Sequence, residues 1–144
     1  MTIRNMTVAD ATFVGDAVQY GFTDGWSVKM IEDGFNKGCL QGFVAEEGAP
    51  IGFITFSVGG EQADVADLFV LPTFRRKGVG NALMEKAERR LKENGVKKIF
   101  LEVRQSNAVA VALYGKCGFE AVGIRKKYYA DGGDAIVMCK EITL

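Results

Sequence analysis

The sequence predicts an α/β (α+β) fold, a mixed sheet covered by helices, and three observations lead there. Runs rich in β-branched and aromatic residues alternate with segments whose apolar residues recur at helical spacing. The clearest helix opens on a glycine pair, Gly78 and Gly80, directly after a strand-like run. The chain closes on two further strand-like runs around Asp131-Gly132-Gly133. With 144 residues and no internal repeat, Pro-rich linker or charge block, Met1–Leu144 reads as a single domain.

Taken in order, Ile3 to Met6 reads as a short strand, and Thr7 or Asp10 can cap a helix carrying Phe13, Ala17, Val18 and Gly21. A second helix opens at Ser27 and carries Met30, Ile31 and Phe35. The runs LQGFVAE and IGFITFSV flank a turn at Glu46 to Pro50 and form a hairpin. Ala63 to Leu71 is a further strand, ended by Pro72. From Gly78 to the stop signal Asn94-Gly95, Val79, Leu83, Ala87 and Leu91 recur every four residues with charges between them. In KKIFLEVR, Ile99, Leu101 and Val103 alternate with Phe100, Glu102 and Arg104. A helix from Asn107 to about Lys116 follows, with Gly118 as its stop, and FEAVGIRKKYY and DAIVMCKEI form the closing hairpin.

Composition narrows the chemistry. Eighteen basic residues balance eighteen acidic ones, so no global field draws the chain to nucleic acid or to anionic lipid, and any anion site must be local. No apolar run approaches the roughly 18 residues of a membrane span, and the three cysteines, Cys39, Cys117 and Cys139, form no C-x-x-C pair. These features predict a cytoplasmic protein. With no histidine, Ser-His-Asp and Cys-His nucleophiles and His-containing zinc patterns are excluded, and no metal site is expected.

The segment FRRKGVGN, Phe74 to Asn81, places three cations and two glycines at the start of a helix. It matches neither G-x-x-x-x-G-K-[ST] nor G-x-G-x-x-G. Helix-terminal amides and the helix dipole favour an anion there, and glycine lets a diphosphate approach the backbone. On spacing alone, a simple turn with a solvated cationic rim is an equal reading.

Arg75-x-x-Gly78-x-Gly80 resembles the pyrophosphate loop of the GCN5-related N-acetyltransferases (GNAT), and the order of elements resembles their fold. A second block, LEVRQSNAVAVALYGKCGF, is similar to that superfamily in its Leu-Glu-Val-Arg-x-x-Asn start and in the spacing from Asn107 to Phe119. Trp26-Ser27 and RKKYYADGGDAIVM (Arg125 to Met138) resemble the RimI-type branch, which acetylates the N-terminal amine of a small-subunit ribosomal protein. The likeness covers most of residues 1 to 142. Gly25, Leu71 and Cys117 depart from the branch, where proline, an acidic residue and leucine are usual.

The resemblance implies a GNAT fold, a mostly antiparallel sheet of about seven strands with about four helices, and acetyl transfer from acetyl-CoA to an amine. Leu68, Phe69 and Val70 would lie along the pantetheine. Arg75, Arg76, Lys77, Gly78, Val79, Gly80 and Asn81 would form the pyrophosphate loop, with Asn107 reaching the cofactor from the far side. Glu102 matches the branch's general base and Tyr114 its general acid. Trp26, Tyr128 and Tyr129 would border the acceptor, a protein or peptide N-terminus (a ribosomal protein among the candidates) or a small amine. The protein would act as a monomer or a homodimer.

Elementary chemistry supports an N-terminal acceptor. An α-amine with a pKa near 8 is neutral for roughly a tenth of the time at pH 7, a lysine for well under a thousandth. Glu102 faces away from the apolar row of its strand, where a pair with Arg104 or a lysine is the structural alternative to a base. Asn107 and Tyr114, seven apart, would share one helix face. A tyrosine near pKa 10 is a weaker acid than a thiol near 8.5, so hydrogen bonding to the leaving sulfur is as good a role for Tyr114 as full protonation, and packing in the core is its alternative. Cys117, with no histidine to ionise it, reads as a small buried residue, which leaves direct transfer in a ternary complex. Two rival functions stand beside this one: acetylation of a small amine or lysine side chain, and an acyl-CoA-binding module without catalysis.

Overall fold

The computed structural model describes residues 1–19 and 28–142. Its elements run β1 (Thr2–Asn5), α1 (Ala11–Gln19), α2 (Val28–Asn36), β2 (Gln41–Glu46), β3 (Pro50–Gly59), β4 (Gln62–Val70), α3 (Val79–Glu93), β5 (Lys98–Arg104), α4 (Ala108–Lys116), β6 (Glu120–Arg125) and β7 (Ala135–Glu141), with short 3₁₀ turns at Val8–Asp10 and Pro72–Phe74. One seven-stranded sheet in the order β1-β2-β3-β4-β5-β7-β6 carries them. Every neighbouring pair is antiparallel except β4 and β5, which are parallel and joined by α3.

Two apolar clusters sit on opposite faces of the sheet. On one face Val79, Leu83, Met84, Ala87 and Leu91 of α3 pack on Phe43, Ile54, Phe56, Ile99 and Leu101, joined by Tyr114 and Phe119. On the other, Ala11, Val14 and Ala17 of α1 and Ile31 of α2 pack on Val44, Phe53 and Phe69. Here Phe13 meets Phe53 edge-on, with ring centroids 5.9 Å apart. The four-residue recurrence in α3 is therefore its buried stripe. Met30, counted in the apolar stripe of α2, is instead about half exposed at 51%, while Ile31 is buried.

A charged knot fixes the start of α1. Arg4 of β1 donates from both terminal nitrogens to the two carboxylate oxygens of Asp10 at 2.8 Å, and its Nε pairs with Glu46. Asp10 Oδ2 also accepts the backbone N–H of Thr7 at 2.9 Å. No helix among the described residues is long and apolar enough to cross a membrane.

The final hairpin differs from its sequence reading. β6 stops at Arg125, four residues before the predicted end at Tyr129, because Lys127 takes a left-handed φ of 52° and its N–H is drawn to Asp134 Oδ1 at 2.9 Å. Residues 126–134 thus form a long turn that carries both tyrosines.

Candidate active site

The parallel ladder between β4 and β5 is short. It spans Gln62–Val65 against Lys98–Leu101, and beyond that point the strands part, leaving Leu68–Val70 and Glu102–Arg104 on opposite sides of a gap. A bulge marks the divergence: Val65 pairs with Phe56 and Asp67 with Thr55, so Ala66 is the extra residue. The inserted residue shifts the alternation by one. Ala63, Val65 and Leu68 face α3, whereas Asp67 and Phe69 turn to the face that bears Glu102.

At the outer end of the gap lies the cationic loop. Arg75 Nε donates to the Val70 carbonyl at 2.8 Å, and Arg76 and Gly78 take left-handed φ values of 63° and 81°. Such turns gather successive backbone N–H groups around an anion. The ladder of α3 opens with Ala82 N donating to Gly78 O at 3.0 Å, so the amides of Val79, Gly80 and Asn81 precede it. Gly78, the N-cap, has no side chain to meet those amides, and the first turn holds no carboxylate. A Cβ at Gly80 would lie 3.6 Å from Leu113 and 3.8 Å from Val70, ordinary packing distances, so the helix start sits beside both arms without a steric demand for glycine. With Arg75, Arg76 and Lys77 exposed around it, this donor set fits a diphosphate.

Glu102 sits on β5 between the buried Leu101 and Val103 and is itself about one-fifth exposed, at 22%. Its partner is Arg125, whose Nε lies 3.3 Å from Oε1, rather than Arg104 or a lysine. Arg104 turns to Asp131 at 2.9 and 3.0 Å and stacks its guanidinium 4.2 Å from the Tyr129 ring centre. Arg125 is 57% exposed, so it can leave Glu102 at little cost.

Tyr114 is buried against Phe119, ring centroids 6.0 Å apart. Burial first, then the charge of Asp67 and the neighbouring Cys117 and Tyr129, raise its phenol well above the usual tyrosine range. It is a proton-bearing donor at any working pH. Asn107 lies just outside the helix that carries Tyr114. As the N-cap of α4 it has non-helical backbone angles, φ −88° and ψ 75°, and its Oδ1 accepts from Ala110 N at 3.1 Å. α4 is strapped at its other end by Lys140 of β7, which donates to Cys117 O at 2.6 Å and Glu88 Oε2 at 2.8 Å. The Cys117 thiol contacts Asn81 Oδ1 at 3.4 Å, and burial raises its pKa, which keeps it protonated.

The family model of the acetyltransferase (GNAT) family matches residues 8–119, from the 3₁₀ turn before α1 to the residue before β6. The chain belongs to the GNAT acetyltransferase family. It is 32% identical to the [ribosomal protein bS18]-alanine N-acetyltransferase of Escherichia coli (strain K12), over 99% of both chains. The crystal structure of the ribosomal-protein-S18-alanine N-acetyltransferase from Escherichia coli superposes with a TM-score of 0.86, covering 99% of this chain and 94% of that one. A Bacillus anthracis acetyltransferase in complex with acetyl coenzyme A superposes at a TM-score of 0.69 with 27% identity, over 77% of this chain and 67% of that one. This GNAT chain is an acetyl-CoA-dependent N-acetyltransferase.

The fold brings Glu102, Asp67 and the Tyr129 turn to one face of the gap and the Arg75–Asn81 loop to its outer end. Tyr128 is half-exposed and meets Tyr129 edge-on at 5.0 Å, with Arg125 5.9 Å from its ring. Trp26 lies outside the described residues. Two participants escaped the sequence reading. Strict alternation along β4 assigns Asp67 to the face of the buried Val65, and no local signal marks the bulge; Arg125 reads as one of three cations in a solvated run.

Proposed function

We propose that this GNAT enzyme acetylates the N-terminal α-amine of a protein, a ribosomal protein beginning with alanine being the first candidate, by direct transfer in a ternary complex. The observation that carries the reading is the likeness to the Escherichia coli enzyme along 99% of both chains, which includes the β6–β7 turn as well as the cofactor loop. Bound acetyl-CoA would supply an activated acyl group at the inner end of the gap. The amides of Val79, Gly80 and Asn81, with Arg75, Arg76, Lys77 and Gly78, hold the diphosphate. The Leu68, Phe69 and Val70 backbone would hold the pantetheine arm and offer an N–H donor to the thioester carbonyl. Asn107, with Oδ1 engaged in its cap, offers Nδ2 from the other side.

Glu102 accepts the proton of the acceptor ammonium, directly or through a water, after Arg125 moves aside. Tyr114 donates a hydrogen bond to the departing sulfur. Full proton transfer from a phenol to a thiolate is uphill by about 2 kcal/mol at reference values, and burial of Tyr114 makes it steeper. The thiol state of Cys117 favours direct attack over an acetyl-cysteine route. Trp26, Tyr128 and Tyr129 border the acceptor.

Intact-mass measurement after incubation with acetyl-CoA tests the acceptor. A lysine-free peptide with a free N-terminal alanine is predicted to gain one acetyl group, and an N-blocked peptide with an internal lysine to gain none. Modification of the second alone, or of a polyamine in preference to both, would transfer the reading to a side-chain or small-amine acetyltransferase.

A further inference from the structure

On the face of the sheet that bears Glu102, two rows of paired residues lie side by side. One is Glu102–Val137–Gly123 across β5, β7 and β6, and the next is Arg104–Ala135–Arg125, about 7 Å further along the strands. The second row has a fully buried alanine between two arginines, and each arginine lies under a tyrosine of the turn: Arg104 4.2 Å from the Tyr129 ring centre and Arg125 5.9 Å from that of Tyr128. An extended chain whose amine reaches Glu102 covers about 7 Å in its next two residues, so an acceptor that runs along the strands toward the turn would pass beside this row.

The two arginines are held differently. Arg125 is 57% exposed and pairs with Glu102, whereas Arg104 is 27% exposed and is fixed on several sides. Arg104 Nη1 donates to both oxygens of Asp131; Asp131 Oδ1 accepts Gly133 N at 2.9 Å; Gly133 O accepts Tyr129 N at 3.1 Å; and Tyr129 O accepts Gly132 N at 2.9 Å. The circuit closes through the guanidinium stacked on Tyr129. A Cβ on Gly133 would fall 2.7 Å from Arg104 Nη1, so a larger residue there would displace the guanidinium from its present place. The guanidinium also walls a recess of about 400 Å³ lined by Gln105, Ser106, Gly132, Gly133 and Asp134.

We infer that Arg104 is a positioning residue for acceptor binding: it fixes the β6–β7 turn, and with it the Tyr128–Tyr129 pair, against the sheet one row from Glu102. The inference rests on the acceptor reading given above. Arg104 acts through Tyr129 and touches neither acyl group nor base. A lysine keeps the charge and can reach Asp131, but has no planar group to stack on the ring, so the conservative exchange separates stacking from charge.

The test is steady-state acetylation of the N-terminal alanine peptide by wild type, Arg104→Lys and Asp131→Asn, with peptide and acetyl-CoA varied separately. Timed trypsin cleavage after Lys126 and Lys127 in the turn, located by mass spectrometry, gives a readout independent of activity. Arg104→Lys is predicted to raise the peptide KM about tenfold, to leave the acetyl-CoA KM within about twofold, and to be cut several-fold faster in the turn. Asp131→Asn is predicted to move the same two readouts less. An unchanged peptide KM, both KM values rising together, or an unchanged cleavage rate would overturn the role. Lack of peptide turnover in the wild type would overturn the acceptor reading instead, and cleavage alone would then decide whether Arg104 holds the turn.

Discussion

The Tyr114 phenol lies among apolar side chains with Asp67 and Tyr129 bearing on it, and burial and the nearby carboxylate both disfavour its ionised form. Asp10 shows the opposite balance. Its two hydrogen bonds from Arg4, aided by the Thr7 N–H, outweigh desolvation and hold its carboxyl below the usual carboxylate range. A depressed folded-state pKa contributes stability above the unfolded value, near 4, and that contribution is lost as pH falls through the folded value. Thermal unfolding should therefore show Asp10→Asn less stable than wild type at pH 7, with the difference closing as pH falls from about 4 toward 2. A constant difference across that range would mean that ionisation of Asp10 is not the source of its stabilising effect.

The loop before α3 joins sequence to function through backbone geometry. Gly78 needs its left-handed φ of 81°, yet a Cβ there would meet open space, so Gly78→Ala adds backbone strain without a clash, about 1–2 kcal/mol. Gly48, in the β2–β3 turn, has φ 76° and equally open surroundings, and serves as the matched control. Both variants are predicted to lower Tm by similar amounts. Only Gly78→Ala is predicted to weaken CoA binding, by about tenfold in calorimetry, because only there does the strain turn amides away from the diphosphate. Equal CoA affinities in the two variants would mean that the loop is a turn and nothing more.

Across the whole molecule, what the sequence discloses depends on whether the determinant is local. The α3 stripe, the alternation of β5 and the glycine start of α3 are periodic or stereochemical, and all three are readable within a short window. The bulge at Ala66 is not, since it depends on how β4 registers against β3, and it alone turns Asp67 toward Glu102. Partner choice is likewise tertiary. Arg104 and Arg125 flank Ala135, and only the strand order decides that the nearer one stacks on Tyr129 while the further one reaches Glu102. Asn107 shows a boundary that a local window misses by one residue, since it caps α4 through its side chain and the helix begins at Ala108.

We propose that the gap between β4 and β5 is a catalytic centre and more than a CoA-binding cleft, with Glu102 taking the proton. The most direct measurement compares wild type and Glu102→Gln for kcat/KM on the N-terminal alanine peptide and for CoA affinity by calorimetry. Loss of the base should lower kcat/KM about a hundredfold or more and leave CoA affinity within about twofold. Retained turnover, or a loss of CoA affinity that matches the loss of rate, would contradict it.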